Sequence, residues 1–342
     1  MTRIGLGAAL ALLAGVAGAQ ERTIPSRALP TPTDVSPQMQ ALIGRPIAPT
    51  YDVVPKTTDE WLARQKASAD GGAQSLPALA QRLHVKVEKQ QMGGVTVYAV
   101  TPDTVDPRNR NRLLIHIHGG CYVLGGGLGA ASEAVMMAGL GHYKVISVDY
   151  RMPPAAYFPA ALDDVVSVWK EALKTHQAKS MAIFGSSAGG ALTLETVIRL
   201  KQLGLPLPAA IAPGTPMADL TGVGDSFHTS AFVDNVLVSP EGFCDPAAQF
   251  YAHGHDLKDP LLSPVYGDYK GFPPAILTTG TRDLLLSNTV RVHRKLKDAG
   301  VEAELNVFEA MAHGGYSRDD TAPETHQAFG DIAKFFDKHL SR

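Results

Sequence analysis

From residue 84 onward, short β-branched or apolar runs alternate with longer stretches of helical periodicity, and this rhythm constrains the fold more than any other feature. Strands are expected at His84–Gln91, Val95–Thr101, Arg112–Ile117, Lys144–Asp149, Met181–Phe184, Ala209–Ala212, Ala275–Thr279 and Ala303–Phe308. Helices are expected between them at Gly129–Leu140, Pro159–Thr175, Ala188–Leu203, Leu284–Ala299 and Pro323–Leu340. The first two strands are close enough for a hairpin through Met92-Gly93-Gly94. The others are separated by helices, which demands right-handed crossovers and a mostly parallel sheet. The expected architecture is therefore α/β, with an eight-stranded sheet flanked by helices.

Two segments fall outside the rhythm. Residues 20 to 80 read as Pro-rich coil followed by a polar amphipathic helix around Thr58–Ser68. A Gly/Pro/Asp-rich insertion runs from Met217 to about Pro274, between two late strands. A loop of that length in a folded domain usually has a function. The part at about 217–255 is expected to cap the C-terminal edge of the sheet, with residues 20–80 as the other half of the cap and 81–342 as the catalytic domain. Phe227, Phe232, Val236 and Leu237 of the insertion either line a pocket or pack the cap.

The first twenty residues are set apart. Arg3 precedes an uncharged, Ala/Leu/Gly-rich stretch that closes on Ala17-Gly18-Ala19. This pattern reads as a signal segment cut after residue 19, and it is too short to be a good membrane span. The mature protein is expected to be exported, periplasmic or secreted, without stable membrane insertion. A chain of 342 residues that is 45% hydrophobic can bury a large core, and a net charge of −2 gives no electrostatic reason to expect nucleic acid as a partner. Cys121 and Cys244 allow one bridge, which a core this large does not need, and the sequence leaves their pairing open. It also leaves the oligomeric state open.

The stretch "MAIFGSSAGGALTLETVI" places Gly185-Ser186-Ser187-Ala188-Gly189 between an expected strand and an expected helix. A GxSxG pattern alone is weak, and its context strengthens it. A serine at a sharp strand-to-helix turn projects its hydroxyl out of the sheet, and glycines on either side let the chain pass close to its neighbours. The helix that follows aims free N–H groups at the same place. Ser187 is the candidate nucleophile, and Ser186 points the other way. A serine needs a base, and the base needs an orienting acid. Asp283 follows one late strand in "AILTTGTRDLLLSN", where it could also act as a helix cap. His313 follows the next strand, in "AELNVFEAMAHGGYS", while His326 and His339 lie within or beyond the last helix.

"HIHGGCYVLGGG", residues 116–127, admits three readings. His116 and His118 are read on one side of a strand, a spacing zinc can use, but no further cluster of obvious ligand spacing accompanies them, so no metal is expected. The glycines lack the Lys and the fixed spacing of a phosphate loop. The reading that fits best is backbone shaped to aim amides at a developing oxyanion.

With these residues in view, the sequence resembles the hormone-sensitive lipase-like branch of the α/β-hydrolase esterases over about residues 80–340. The resemblance rests on "GSSAGG", on "VDYRMPPAAYFPAALDD" (148–164), and on "TPMADLTGVGDS", "DPLLSPVY" and "GFPPAILTTGTRDLL", all in the family's order. It implies an α/β-hydrolase fold and a triad of Ser187, Asp283 and His313. It further implies an oxyanion hole from the amides of Gly120, Cys121 and Ala188, with His118 and Gly119 supporting the loop and no cofactor. The expected activity is hydrolysis of a short- to medium-chain carboxylic ester. Lactone hydrolysis by the same triad is the near alternative, and a non-catalytic binding protein on this fold is the remote one. Activity is expected to rise through roughly pH 6 to 8 as an imidazole base loses its proton. One departure stands out: the family usually has a third glycine where this chain has Cys121, whose thiol is expected to crowd or line the acyl side.

Overall fold

A computed structural model describes residues 21–341, so the expected signal segment lies outside the described residues. Residues 21–30 are irregular and form a unit of their own, described by themselves. The body begins at Thr31. Its helices are α1 (Pro37–Ile43), α2 (Thr58–Arg82), α3 (Ser132–Gly141), α4 (Ala160–Ala172), α5 (Ala188–Gln202), α6 (Ser226–Thr229), α7 (Cys244–Ala252), α8 (Leu286–Asp298) and α9 (Pro323–His339). Its strands are β1 (Val85–Met92), β2 (Val95–Pro102), β3 (Leu113–Ile117), β4 (Val145–Val148), β5 (Met181–Ser186), β6 (Ala210–Gly214), β7 (Ala275–Gly280) and β8 (Ala303–Phe308).

The eight strands form one sheet in the order β1-β2-β4-β3-β5-β6-β7-β8. β1 and β2 pair antiparallel, as do β2 and β4, and the rest of the sheet is parallel. The central strands β3, β5, β6 and β7 are buried along their whole length, as expected of parallel strands covered on both faces. The edge strands β1 and β8 carry the exposed polar positions. Alternate residues feed two cores. Ile115, Ile117, Ile183, Ile211 and Leu277 pack with residues of α4, α5 and α8. Leu114, Ala182, Phe184, Ala212 and Ile276 pack with residues of α3 and α9. Parallel pairing brings the C-terminal ends of β3, β5, β6, β7 and β8 to one rim, where loops carrying chemistry can meet.

The largest departure from sequence expectation is α2. It runs on to Arg82 instead of ending near Ser68, despite Gly71, Gly72 and Pro77. Thr57 caps it by accepting from Glu60 N, while Glu60 Oε2 accepts from Lys56 N at 2.6 Å. Gly72 is an interface position: a Cβ there would lie 2.6 Å from Gly129 Cα, so the glycine permits close packing rather than ending the helix. His118 is a second correction, because β3 ends at Ile117 and the ring sits in the loop beyond it. His116 alone remains on the strand, with Nδ1 2.9 Å from Ser147 Oγ and Nε2 3.3 Å from Glu133. Among the described residues no group of three or more His, Cys, Asp or Glu is arranged to hold a metal ion, and no helix is long and apolar enough to cross a membrane.

Candidate active site

Ser187 occupies the turn between β5 and α5 with φ 61° and ψ −123°, a conformation that side-chain-bearing residues rarely adopt. The neighbouring backbone holds it there. Ser187 N donates to Gly214 O at 3.0 Å, and Ser187 O accepts from Met217 N at 3.0 Å. A side chain at Gly185 or Gly189 would collide with Ile117 O, which is why the elbow needs small residues at both positions. Ser186 turns away, with its hydroxyl 2.6 Å from Glu133 Oε1 and bonded to Tyr316 OH. Ala188 opens α5, whose first amides have no acceptor within the helix.

Asp283 follows β7 and is fully buried. Its Oδ1 accepts from Leu285 N at 2.9 Å and lies 3.0 Å from His313 Nδ1. Its Oδ2 accepts from Thr279 Oγ1 at 2.7 Å and from Thr215 Oγ1. Burial alone would raise this carboxyl's pKa. The charge of His313 and the hydrogen bonds from His313, Thr215 and Thr279 outweigh it and hold the pKa below the ordinary carboxylate value. An ionised Asp283 keeps the proton on His313 Nδ1 and leaves Nε2 as the ring's acceptor. The hydroxyl of Thr215, 2.9 Å from the same Nδ1, completes the set around the imidazole.

The loop after β3 packs directly on the elbow. A Cβ at Gly119 would lie 2.8 Å from Ser186 O and 3.1 Å from Ser187 Cβ. Gly120, Cys121 and Tyr122 all have positive φ (111°, 54° and 65°), and Val123 N and Leu124 N donate to Gly120 O, so the loop curls back on itself. His118 braces its start. Burial pushes this imidazole's pKa down to about 3, so the neutral ring donates from Nδ1 to Gly119 O at 2.7 Å. The ring stacks on Tyr150 at 4.0 Å, and Tyr150 OH donates to His118 O.

Cys121 does not carry the thiol expected from the sequence to crowd or line the acyl side. It is bonded to Cys244 at the start of α7, with a Cα–Cα distance of 5.3 Å. The bridge accounts for a side chain where glycine would relieve the positive φ: the sulfur ties the loop to the insertion. The next residue makes a second tie. Tyr122 stacks on Tyr251 of α7 at 4.5 Å and donates to Glu195 Oε1 on α5 at 3.0 Å. Trp61 of α2 stacks on Phe250 at 4.6 Å and shares a small core with Cys121 and Phe243, so the N-terminal segment and the insertion meet over this loop.

A cavity of about 370 Å³ is formed largely by the insertion, and none of Ser187, Asp283 and His313 lines it. Phe227, Leu237, Met217 and Leu284 line it together with Cys244. Of the four insertion residues singled out in the sequence, Phe227 and Leu237 thus line this cavity. Val236 faces a separate one, and Phe232 is exposed beside Tyr51. Sequence reasoning missed Thr215, Thr279, Glu195 and the buried Asp234. Thr215, Thr279 and Glu195 lie within stretches already quoted, but nothing in their spacing marks them, and Asp234 lies outside all of those stretches; only the fold brings the four together.

Residues 114–317 match the family described as the alpha/beta hydrolase fold. The solved structure of esterase E25 superposes with a TM-score of 0.91 at 44% identity, covering 94% of this chain and 99% of that one. The chain belongs to the α/β-hydrolases, on their hormone-sensitive lipase-like branch. A second solved structure, of an esterase from the bacterial hormone-sensitive lipase family, gives a TM-score of 0.75 at 27% identity over 90% of this chain and 99% of that one. An acetyl-hydrolase of Streptomyces hygroscopicus is 30% identical over 236 residues, 68% of this chain and 78% of its own length. This α/β-hydrolase is an enzyme of the esterase class.

Proposed function

We propose that this esterase hydrolyses short- to medium-chain carboxylic esters through an acyl-enzyme on Ser187. The observation that carries the reading is the buried pair of His313 Nδ1 and Asp283 Oδ1 at 3.0 Å, at the same rim as a serine held in a strained elbow. Ser187 attacks the ester carbonyl while His313 Nε2 takes its proton. Asp283 holds the tautomer and stabilises the imidazolium. The amides of Gly120, Cys121 and Ala188 receive the oxyanion, each contributing about 3 kcal/mol of barrier lowering. His313 then protonates the leaving alcohol, and water repeats the sequence on the acyl-enzyme. The cavity, lined by Met217, Phe227, Leu237 and Leu284 with Asp219, Glu241 and Asp245 also on its wall, supports an uncharged acyl or alcohol group of modest size.

Export of the mature protein is part of the proposal. The Cys121–Cys244 bridge supports it, because such bonds persist in oxidising compartments.

Both parts are tested on protein recovered outside the cytoplasm of an expressing cell. Its mass should lack residues 1–19; an intact leader on active protein would contradict export. The parent should hydrolyse p-nitrophenyl acetate, butyrate and hexanoate, and Ser187→Ala should lose at least about 10³-fold in kcat. Turnover of ε-lactones well above that of the open-chain esters would move the substrate assignment to cyclic esters. Undiminished hydrolysis by Ser187→Ala would remove the mechanism.

A further inference from the structure

Asp234 lies in the insertion, outside the stretches that carry the family resemblance, and is fully buried. Its two oxygens do different things. Oδ1 closes a local turn by accepting from Val236 N at 2.8 Å and Leu237 N at 3.2 Å. Oδ2 leaves the insertion and accepts from Leu284 N at 2.8 Å and His313 N at 3.3 Å. The first of these amides follows the catalytic acid directly, and the second belongs to the catalytic base. One carboxylate oxygen therefore spans the two loops that must hold Asp283 and His313 in register.

The loops have reason to need it. His313 sits in Ala312-His313-Gly314-Gly315, between Ala310 at φ 53° and Gly314 at φ 61°. A Gly-rich segment of this kind loses much freedom on ordering and has little side-chain packing with which to hold itself. Burial and the negative charge of Asp283 raise the pKa of Asp234, which makes its placement costly unless its hydrogen bonds are used. The following residue anchors the same turn from the other side: Asn235 Nδ2 donates to Leu42 O at 2.8 Å and Arg45 O at 3.1 Å in the N-terminal segment.

We propose that Asp234 is a positioning residue that sets the separation of the acid and base loops, through Oδ2, from within the cap insertion. The inference rests on the reading of Ser187, Asp283 and His313 as the triad. It assigns the insertion a part in organising catalysis as well as enclosing substrate. Small displacements of a base are expensive, because about 1 Å of misplacement can cost about 10²-fold in rate. Asp234 does not itself line the cavity beside Met217 and Phe227, although it holds the backbone of Leu237 and Leu284, which do, so the larger part of the loss should fall on kcat.

The test compares the parent with Asp234→Asn, Asp234→Glu and Asn235→Ala. Each is assayed well below its own melting temperature with p-nitrophenyl butyrate and titrated with a fluorophosphonate. Asp234→Asn keeps the local turn but sets an NH2 group against the two loop amides. Its kcat should fall by about 10- to 100-fold with KM within threefold, and its rate of fluorophosphonate labelling should fall in parallel. Asp234→Glu keeps the charge but displaces it by one methylene, and should show the same split at smaller amplitude. If the asparagine variant does not fold, the glutamate variant decides. Asn235→Ala, which cuts only the tie to the N-terminal segment, should keep kcat within twofold. A folded Asp234→Asn or Asp234→Glu with parental kcat, or a loss confined to KM, overturns the proposal. A parent that fails to label overturns the triad reading itself and is distinguishable from either result.

Discussion

The two flanks of Ser187 are secured by different chemistry but by the same part of the chain. On the acid–base side, the insertion contributes a carboxylate that accepts backbone hydrogen bonds from the loops carrying Asp283 and His313. On the oxyanion side, it contributes a covalent bond and an aromatic stack, Cys244 to Cys121 and Tyr251 to Tyr122. The difference follows from what each flank must hold. In the proposed mechanism the acid–base loops carry groups that exchange protons, and polar contacts fix them while satisfying buried amides. The proposed oxyanion loop has to present amides and would have no side-chain handle of its own with a glycine at position 121. Cys121 and Tyr122 supply one, at positive φ values that a non-glycine residue adopts only when its surroundings hold it there.

Breaking the covalent flank should have the largest effect on stability. Cys244→Ser opens a crosslink between residues 123 apart in sequence, for which chain entropy gives about 3–5 kcal/mol of stabilisation. A clearly lowered melting temperature is expected, measured by calorimetry. Below that temperature kcat should drop about tenfold as the loop amides lose register. Dithiothreitol should bring the parent to the same state and leave the variant unchanged. A reduced parent with full kcat would mean that Tyr122 alone holds the loop.

A smaller effect sharpens the contrast by loosening the loop's other tie. Glu195, fully buried beneath Tyr122, has its pKa raised well above the carboxylate range by burial. The folded protein therefore retains a proton that the unfolded chain loses above roughly pH 4.3, so this residue costs stability increasingly as pH rises past that point. Glu195→Gln keeps an acceptor for Tyr122 OH and removes the titration. Its melting temperature should gain on the parent's by roughly 2 °C or more per pH unit between pH 5 and 7. A difference that is constant with pH would show that Glu195 is ionised in the fold.

Much of this was legible before any coordinates. Strands and helices announced themselves through periodicity, and Ser187, Asp283 and His313 stood out as candidates through position: each follows a strand, and the ends of parallel strands share a rim. Local patterns failed where long-range packing decided the outcome. The helix read around Thr58–Ser68 runs on through Gly71-Gly72, where Gly129 packs against Gly72. The cysteines could be counted, but not their separation in space. Asp234 lies 49 residues before Asp283 in sequence, in a segment without periodicity, and no spacing rule connects it to His313.

The account stands on Ser187 being the one hydroxyl made reactive by this assembly. Peptide mapping after fluorophosphonate treatment tests it most directly. A single phosphonyl adduct on Ser187, absent in Ser187→Ala and absent from the adjacent Ser186, is the result the account requires. A folded parent that stays unmodified, or carries the adduct on another residue, would contradict it.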